Sequence, residues 1–248
     1  MEGNSKGKVF LDDKDKPSMA MLWNTFDGFY VALSEHASPE KVKTYIERIL
    51  ERNRSSLAEL SQFVIYTDLA KSDSFAKKMI PSNTFEKRWV KQFQQIGVVR
   101  HEIAIPDGYK YMSVAQLITG DDHYIHTGEI IDGIAQTWAS VTAFLRRGFG
   151  ACLVHDARKE VASYCFTEHV STLGAELSVE TYTAYQRLGL GNLVGMAALE
   201  MCAQRKLAAN WYCLSDNAGS IALATKLGMS EVLTFPVWFF SYPSVSHG

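Results

Sequence analysis

The chain has 248 residues and a mass of 27.7 kDa, with 47% hydrophobic and 21% charged residues, ordinary globular values that exclude a disordered, collagenous or coiled-coil chain. Lys and Arg number 25 against 27 Asp and Glu, a formal net charge of -2, so no nucleic-acid partner held by diffuse attraction to phosphates is expected. Four cysteines without a CxxC pair fit neither a disulfide framework nor a zinc site, and without a signal-like opening or a run of about 18 apolar residues the sequence predicts a cytoplasmic chain that does not enter a membrane.

No internal repeat is visible. The opening stretch to Pro17 is Lys/Asp-rich, with Val9-Phe10-Leu11 able to pair as an edge strand. Ser38-Pro39, a cap followed by a first-turn proline, opens an amphipathic helix with Val42, Ile46, Ile49 and Leu50 on its apolar stripe. The spacing of Phe85, Trp89, Val90 and Phe93 predicts a second helix, from Ser82-Asn83 to Gly97. Val98 to Pro106 reads as a strand stopped by the turn signal Pro106-Asp107-Gly108. Ile130, Ile134, Trp138, Val141 and Leu145 predict one continuous third helix closed by Gly148.

After residue 149 the rhythm changes. Phe149–Val154, Glu160–Phe166 and Ala175–Thr183 read as strands, followed by a helix from Gly191 to Arg205. A strand at Asn210–Leu214, a helix at Asn217–Leu227 and an aromatic strand at Val232–Tyr242 complete the order. Strand, strand, strand, helix, strand, helix, strand implies an α/β (α+β) fold, a mixed, mostly antiparallel sheet flanked by helices. Residues 1–125 are expected to be a mainly helical region, and residues 126–248 a second domain.

The informative segment is Tyr185-Gln186-Arg187-Leu188-Gly189-Leu190-Gly191-Asn192, where a strand gives way to a helix. Two glycines one residue apart let main-chain N–H groups turn inward, and the positive end of the helix dipole adds to them. Such a turn holds a diphosphate through backbone donors, with Arg187 a further contact at the rim. Glycines at 189 and 191 also suit a plain tight link between strand and helix. Followed by Asn217-x-x-Ser220 and Leu223-Ala224-Thr225-Lys226-Leu227-Gly228-Met229, however, the segment resembles the GNAT superfamily of acyl-CoA-dependent N-acetyltransferases. Phe144-Leu145, Gly148-Phe149-Gly150, Val161–Cys165, Glu176–Thr181 and Trp211-Tyr212-Cys213 are similar to its zwittermicin A resistance protein-like subgroup.

The resemblance implies acetyl-CoA as co-substrate, with no metal, and makes residues 126–248 a GNAT-like acyl-CoA-binding catalytic domain whose acceptor side residues 1–125 would cover. It implies cofactor contacts from Val179, Thr181, Gln186, Arg187, Leu188, Gly189, Leu190, Gly191, Asn192, Asn217 and Ser220. Glu176, Ser178, Glu180 and Tyr182 share one face of their strand, so Glu180 and Glu176 are the candidate bases. An open, solvated sheet face would carry the same acids. Many relatives carry a Tyr as general acid seven residues after the helix Asn; here that position is Ala224, which leaves Tyr212, Tyr185 or solvent to protonate the thiolate.

Asp121, Asp122, His123, His126 and Glu129 collect metal-type side chains in a loop without a metal-binding spacing, so a solvated loop is expected there, with substrate contact as the alternative use. The expected function is acetyl transfer to a primary amine of a small molecule by direct reaction in a ternary complex. An acyl-CoA sensor without catalysis and a protein acetyltransferase are the alternatives. The aromatic end strand offers an interface for a homodimer.

Overall fold

In the computed structural model, residues 5–25, 28–33, 38–57, 62–67, 73–96 and 104–242 are described. The elements in chain order are β1 (Lys8–Leu11), β2 (Met19–Trp23), β3 (Gly28–Leu33), α1 (Pro39–Arg52), β4 (Phe63–Thr67), α2 (Asp73–Met79) and β5 (Phe85–Gln95). There follow β6 (Tyr109–Ser113), α3 (Val114–Thr119), α4 (Thr127–Thr137), α5 (Val141–Arg147), β7 (Gly150–His155), β8 (Glu160–Val170) and β9 (Gly174–Thr181). The last four are α6 (Leu190–Gln204), β10 (Ala208–Leu214), α7 (Ala218–Lys226) and β11 (Ser230–Phe240).

The chain divides into two compact units. The larger comprises Met1–Lys6 and Lys91–Leu233, the smaller Gly7–Val90 and Thr234–Gly248. The expected junction at 125/126 lies inside the larger unit.

In the larger unit the strand order is β6-β7-β8-β9-β10, antiparallel throughout except for the parallel pair β9/β10. One face of this sheet packs Ala151, Leu153, Cys165 and Leu177 against Leu190, Val194 and Ala198 of α6. The other packs Cys152, Val154, Val161 and Phe166 against Ile130, Ile134 and Phe144 of α4 and α5. Alternation along the strands thus fills two cores, which is why β7 and β8 read as nearly unbroken apolar runs. Gly195 brings α6 close to α7, since a Cβ there would meet Leu227 Cδ1 at 2.7 Å.

In the smaller unit the order is β1-β2-β3-β4-β11. Met21, Phe29, Ile65, Trp238 and Phe240 pack against Val42, Ile46 and Ile49 of α1 and Met79 of α2. The aromatic residues Trp238 and Phe240 are therefore core.

Three expectations are corrected. The first 125 residues are not mainly helical: they carry β1–β6 alongside α1, α2 and α3. The helix predicted over 82–97 is the strand β5. Its charges hid the period of two, because Lys87 is held over aromatic rings, its ammonium 5.3 Å from the centroid of Trp89 and 5.9 Å from that of Trp238.

The third helix is broken in two. Trp138 and Ser140 are extended, and Ser140 caps α5 by accepting from the Ala143 N–H at 3.0 Å. The strand expected at Val98–Pro106 falls on residues 97–103, outside those described, and Ala104–Pro106 is irregular. β6 and α3 were missed, although Ser113-x-x-Gln116 forms a capping box.

Candidate functional site

The site lies in the larger unit, where β9 passes through a short 3-10 turn (Thr183–Tyr185) into α6. Gly189 caps α6 at φ 81°, a left-handed conformation that glycine adopts without a Cβ penalty, and Arg187 holds φ 63° two residues earlier. The cap offers no side-chain acceptor and the first turn carries no acidic residue. At the start of α6 the N–H groups of Asn192 and Leu193 donate to the Gly189 carbonyl at 3.1 and 3.3 Å, while those of Leu190 and Gly191 have no partner among the described residues. Leu188 is exposed, whereas Leu190 anchors the turn in the core.

Gly191 is small for a packing reason: a Cβ there would meet Thr181 Oγ1 at 2.9 Å, with Leu223 and Val179 just beyond. Thr181 Oγ1 lies 2.8 Å from Ser163 Oγ, and that hydroxyl donates to the Glu180 carbonyl. Gln186 folds back to donate to the Thr181 carbonyl at 3.2 Å, so its amide braces the turn. Asn192 donates to Met196 Sδ along the helix.

β9 and β10 pair for three rungs only, Gly174–Ala208, Ala175–Ala209 and Glu176–Asn210, although β9 runs on to Thr181 and β10 to Leu214. The parallel pair therefore opens toward the glycine turn. On its other edge β9 stays paired with β8 up to Ser163–Thr181. Tyr182 N–H donates to Ala162 and the Glu180 carbonyl accepts from Ser163, so both point to β8. Strand alternation then turns the N–H groups of Val179 and Thr181 the other way, into the opening.

Glu176 and Glu180 share the opposite side-chain face from Leu177 and Val179, as expected, but their surroundings differ. Glu176 is half-buried, and burial together with the nearby Glu168 pushes its carboxyl up to about 8. Glu180 is exposed and accepts from Tyr164 Oη at 2.7 Å. Tyr212 on β10 is 39% exposed, and burial and then Glu176 raise its phenol above the ordinary range.

Tyr185 is a core residue that donates to Glu160 and is no free acid. Ala224 is fully buried. Asn217 caps α7 through Oδ1, which accepts from Ser220 N–H at 3.0 Å, and Ser220 Oγ accepts from Trp211 Nε1 at 2.8 Å. Both thus hold local structure at the mouth of α7.

One group was named in the sequence reading only in part. The start of α4 sets Glu129 beside Tyr182, whose hydroxyl donates to it at 3.0 Å, and His126, whose Nδ1 lies 2.9 Å away. The His126 and Tyr182 rings stack at 3.8 Å. The signal present was the run of acids and histidines before α4, but pairing it with Tyr182, 53 residues on, needed the fold. Among the described residues no group of three His, Cys, Asp or Glu side chains forms a metal cluster. No described helix is long and apolar enough to cross a membrane.

Comparison with known proteins gives a consistent result. A family model described as GNAT acetyltransferase matches residues 1–238. The uncharacterized N-acetyltransferase YdfB of Bacillus subtilis (strain 168) is 22% identical over 233 residues, covering 94% of this chain and 85% of that protein. A GCN5-related N-acetyltransferase-like protein from Streptococcus suis 89/1591 superimposes with a TM-score of 0.63 at 15% identity, covering 94% of this chain and 88% of the other. A tandem GNAT protein from the clavulanic acid biosynthesis pathway gives 0.58 at 14% identity, with 97% and 85% covered.

Proposed function

Since the chain belongs to the GNAT acetyltransferase family, it is an acyltransferase, and we propose that it moves the acetyl group of acetyl-CoA directly to a primary amine of a small molecule, both substrates being bound together. The observation that carries this reading is the parallel pair β9/β10, which closes at Glu176–Asn210 and opens toward the glycine turn. A slot of that form takes an extended thioester arm along the freed edge of β9, while the diphosphate meets the N–H groups at the start of α6. Gly189, Leu190 and Gly191 supply that turn, Leu188 and Arg187 its rim, and Asn192 and Gln186 its bracing. Asn217 keeps Nδ2 available for the arm, and Ser220 holds Asn217 in place.

The chemistry follows from the acids on β9. An amine attacks a thioester only after its ammonium has lost a proton. Glu176, with a carboxyl shifted to about 8 by burial and Glu168, is a base matched to that task, directly or through a water. The amine nitrogen then bonds to the carbonyl carbon, and the N–H of Val179 or Thr181 stabilises the oxyanion. As the carbon–sulfur bond breaks, the nitrogen gives up its second proton to solvent, and the thiolate leaves with its electron pair and takes a proton from solvent or from Tyr212. No covalent enzyme intermediate is needed: the four cysteines are buried, and burial raises the thiols of Cys152, Cys165, Cys202 and Cys213.

The test is thiol release from acetyl-CoA across a panel of small amines, with the acceptor's mass gain read in parallel. Amine-dependent release with a matching acetylated product is expected. Tight coenzyme binding without release from any amine would overturn transfer and leave a coenzyme-binding protein. Release only with peptides would move the acceptor to protein.

A further inference from the structure

The proposed base has a neighbour on the adjoining strand that the reaction has not yet used. β8 and β9 pair with His169 opposite Glu176, after a register shift between Thr167 and His169 that passes over Glu168. Directly opposed residues of an antiparallel pair send their side chains to one face, with Cβ atoms about 5 Å apart. The half-buried imidazole therefore stands beside the half-buried carboxyl. Among the described residues, neither the Glu176 carboxyl nor His169 Nε2 has a hydrogen-bond partner.

The other imidazole nitrogen is held from a distant part of the chain. Nδ1 lies 2.9 Å from Ser5 Oγ, 164 positions away in sequence. Ser5 is itself fixed: it forms an antiparallel bridge with Trp138, and the next N–H, of Lys6, donates to the Thr137 carbonyl at 3.0 Å. Trp138 is fully buried and donates through Nε1 to the Thr167 carbonyl at 2.7 Å, two residues before His169. All of these residues belong to the larger unit. Ser5 is thus seated at the break between α4 and α5 and fixes the plane of the ring, leaving Nε2 on the face that carries Glu176.

Resting on the transfer reading above, we infer that His169, oriented by Ser5, is a positioning residue for Glu176: with the Ser5 hydroxyl donating to Nδ1, the ring carries its proton on Nε2 and donates it as a hydrogen bond to the ionised base, directly or through one water. The proton transfer itself is unchanged, since the ammonium N–H bond breaks, the proton bonds to a Glu176 oxygen and His169 keeps its own. Burial holds the imidazole below its ordinary range, so at neutral pH the ring is uncharged, with one donor and one acceptor nitrogen. Its hydrogen bond opposes the burial and the Glu168 charge that raise the carboxyl. The titratable groups around Glu176 are Glu168 on β8, Tyr212 on β10 and Glu180 further along β9, while α4 and α5 turn Ile130, Ile134 and Phe144 to this face. Asn210, in register with Glu176 on β10, accepts from Gln92 and Gln94 and turns its own amide to the Ala208 carbonyl, so that side offers no donor.

The measurement is the pH dependence of kcat/KM with one amine acceptor throughout, for the full-length protein and for His169→Phe, His169→Gln and Ser5→Ala. His169→Phe keeps a ring and removes the donor. The midpoint of the rise in activity should move up by about one pH unit, so that activity at neutral pH falls by about tenfold, with KM for acetyl-CoA held. His169→Gln, which keeps an N–H donor, should bring the midpoint back. Ser5→Ala should move it up by less and decides the matter if His169→Phe does not fold. A midpoint that stays in place in His169→Phe or Ser5→Ala, or one that His169→Gln does not restore, overturns the proposal while leaving transfer itself intact. No thiol release from wild type with any amine overturns both.

Discussion

The same succession of elements occurs twice along the chain, as β3–α1–β4–α2–β5 and as β9–α6–β10–α7–β11. In each, a strand passes into a helix and returns as a parallel neighbour, with first rungs at Gly28–Val64 and Gly174–Ala208. The chemistry then diverges. β3/β4 stays paired through Val31–Thr67, the last residue of β4, and its third rung is Tyr30–Tyr66, with rings stacked at 4.5 Å. β9/β10 stops at its third rung, Glu176–Asn210.

The helix starts differ in the same sense. Ser38 accepts from the Lys41 N–H, Pro39 has no N–H to offer, and Glu40 puts a carboxylate in the first turn of α1. α6 begins instead on a left-handed glycine with neither side-chain cap nor acid. A helix N-terminus that satisfies itself is structure, and one left open is a place for an anion. Of two equivalent topologies, the one proposed to hold substrate is the one in which pairing and capping are both withheld.

The largest effect is expected from removing what distinguishes the third rung. Glu176→Gln should lower turnover by about 100- to 1,000-fold, the scale of a lost general base, with KM for acetyl-CoA nearly unchanged. In wild type, activity should rise with pH and level off above about 8, where the carboxyl has lost its proton. Stability moves the opposite way. The folded state keeps that proton up to about 8 whereas the unfolded chain releases it near 4.5, so stability falls as pH rises between these values. A pH series of Tm should be flatter across that window in Glu176→Gln; an identical slope would mean that Glu176 does not titrate there.

A second substitution makes the open junction resemble the closed one. Gly191→Glu puts a carboxylate in the first turn of α6, as Glu40 does in α1, and a Cβ where Thr181 Oγ1 stands 2.9 Å away. Calorimetry with coenzyme A should show affinity lowered by about 100-fold through repulsion of the diphosphate and displacement of the turn. An unchanged Kd would remove the glycine turn from the binding site.

How much of this was legible follows the same division. The glycine turn, the helix that leaves it and the acids of β9 are local patterns, and residues 149–240 read with boundaries displaced by at most a few positions. Glu176 and Glu180 shared a face by alternation alone, but that Glu176 is the one shifted depends on its burial and then on the charge of Glu168, which periodicity does not report. The first half was misread at β5, where Lys87 and Arg88 lie over rings of Trp89, Trp238 and Phe239 that the chain supplies partly from its far end. The duplicated order was hidden because a topology repeats without its residues: Ser38-Pro39-Glu40 and Gly189-Leu190-Gly191 begin equivalent helices with no side chain in common.

The smallest effects separate capping from binding. Ser38→Ala should cost about 1 kcal/mol of stability, the ordinary value of an N-cap, and leave the transfer rate alone, because the proposed substrate slot lies at α6 and not at the junction Ser38 caps. Asn217 caps α7 through Oδ1 but keeps Nδ2 unengaged among the described residues, so its two ends can be tested apart. Asn217→Asp keeps an oxygen for the Ser220 N–H and removes the amide donor; as Asp caps about as well as Asn, stability should hold while KM for acetyl-CoA rises severalfold. Asn217→Ala removes both, and should add to that rise a loss of about 1 kcal/mol. If the Asp variant instead matched wild type in KM, Asn217 would be a cap of the same kind as Ser38, and the binding contacts would narrow to the opened edge of β9 and the glycine turn.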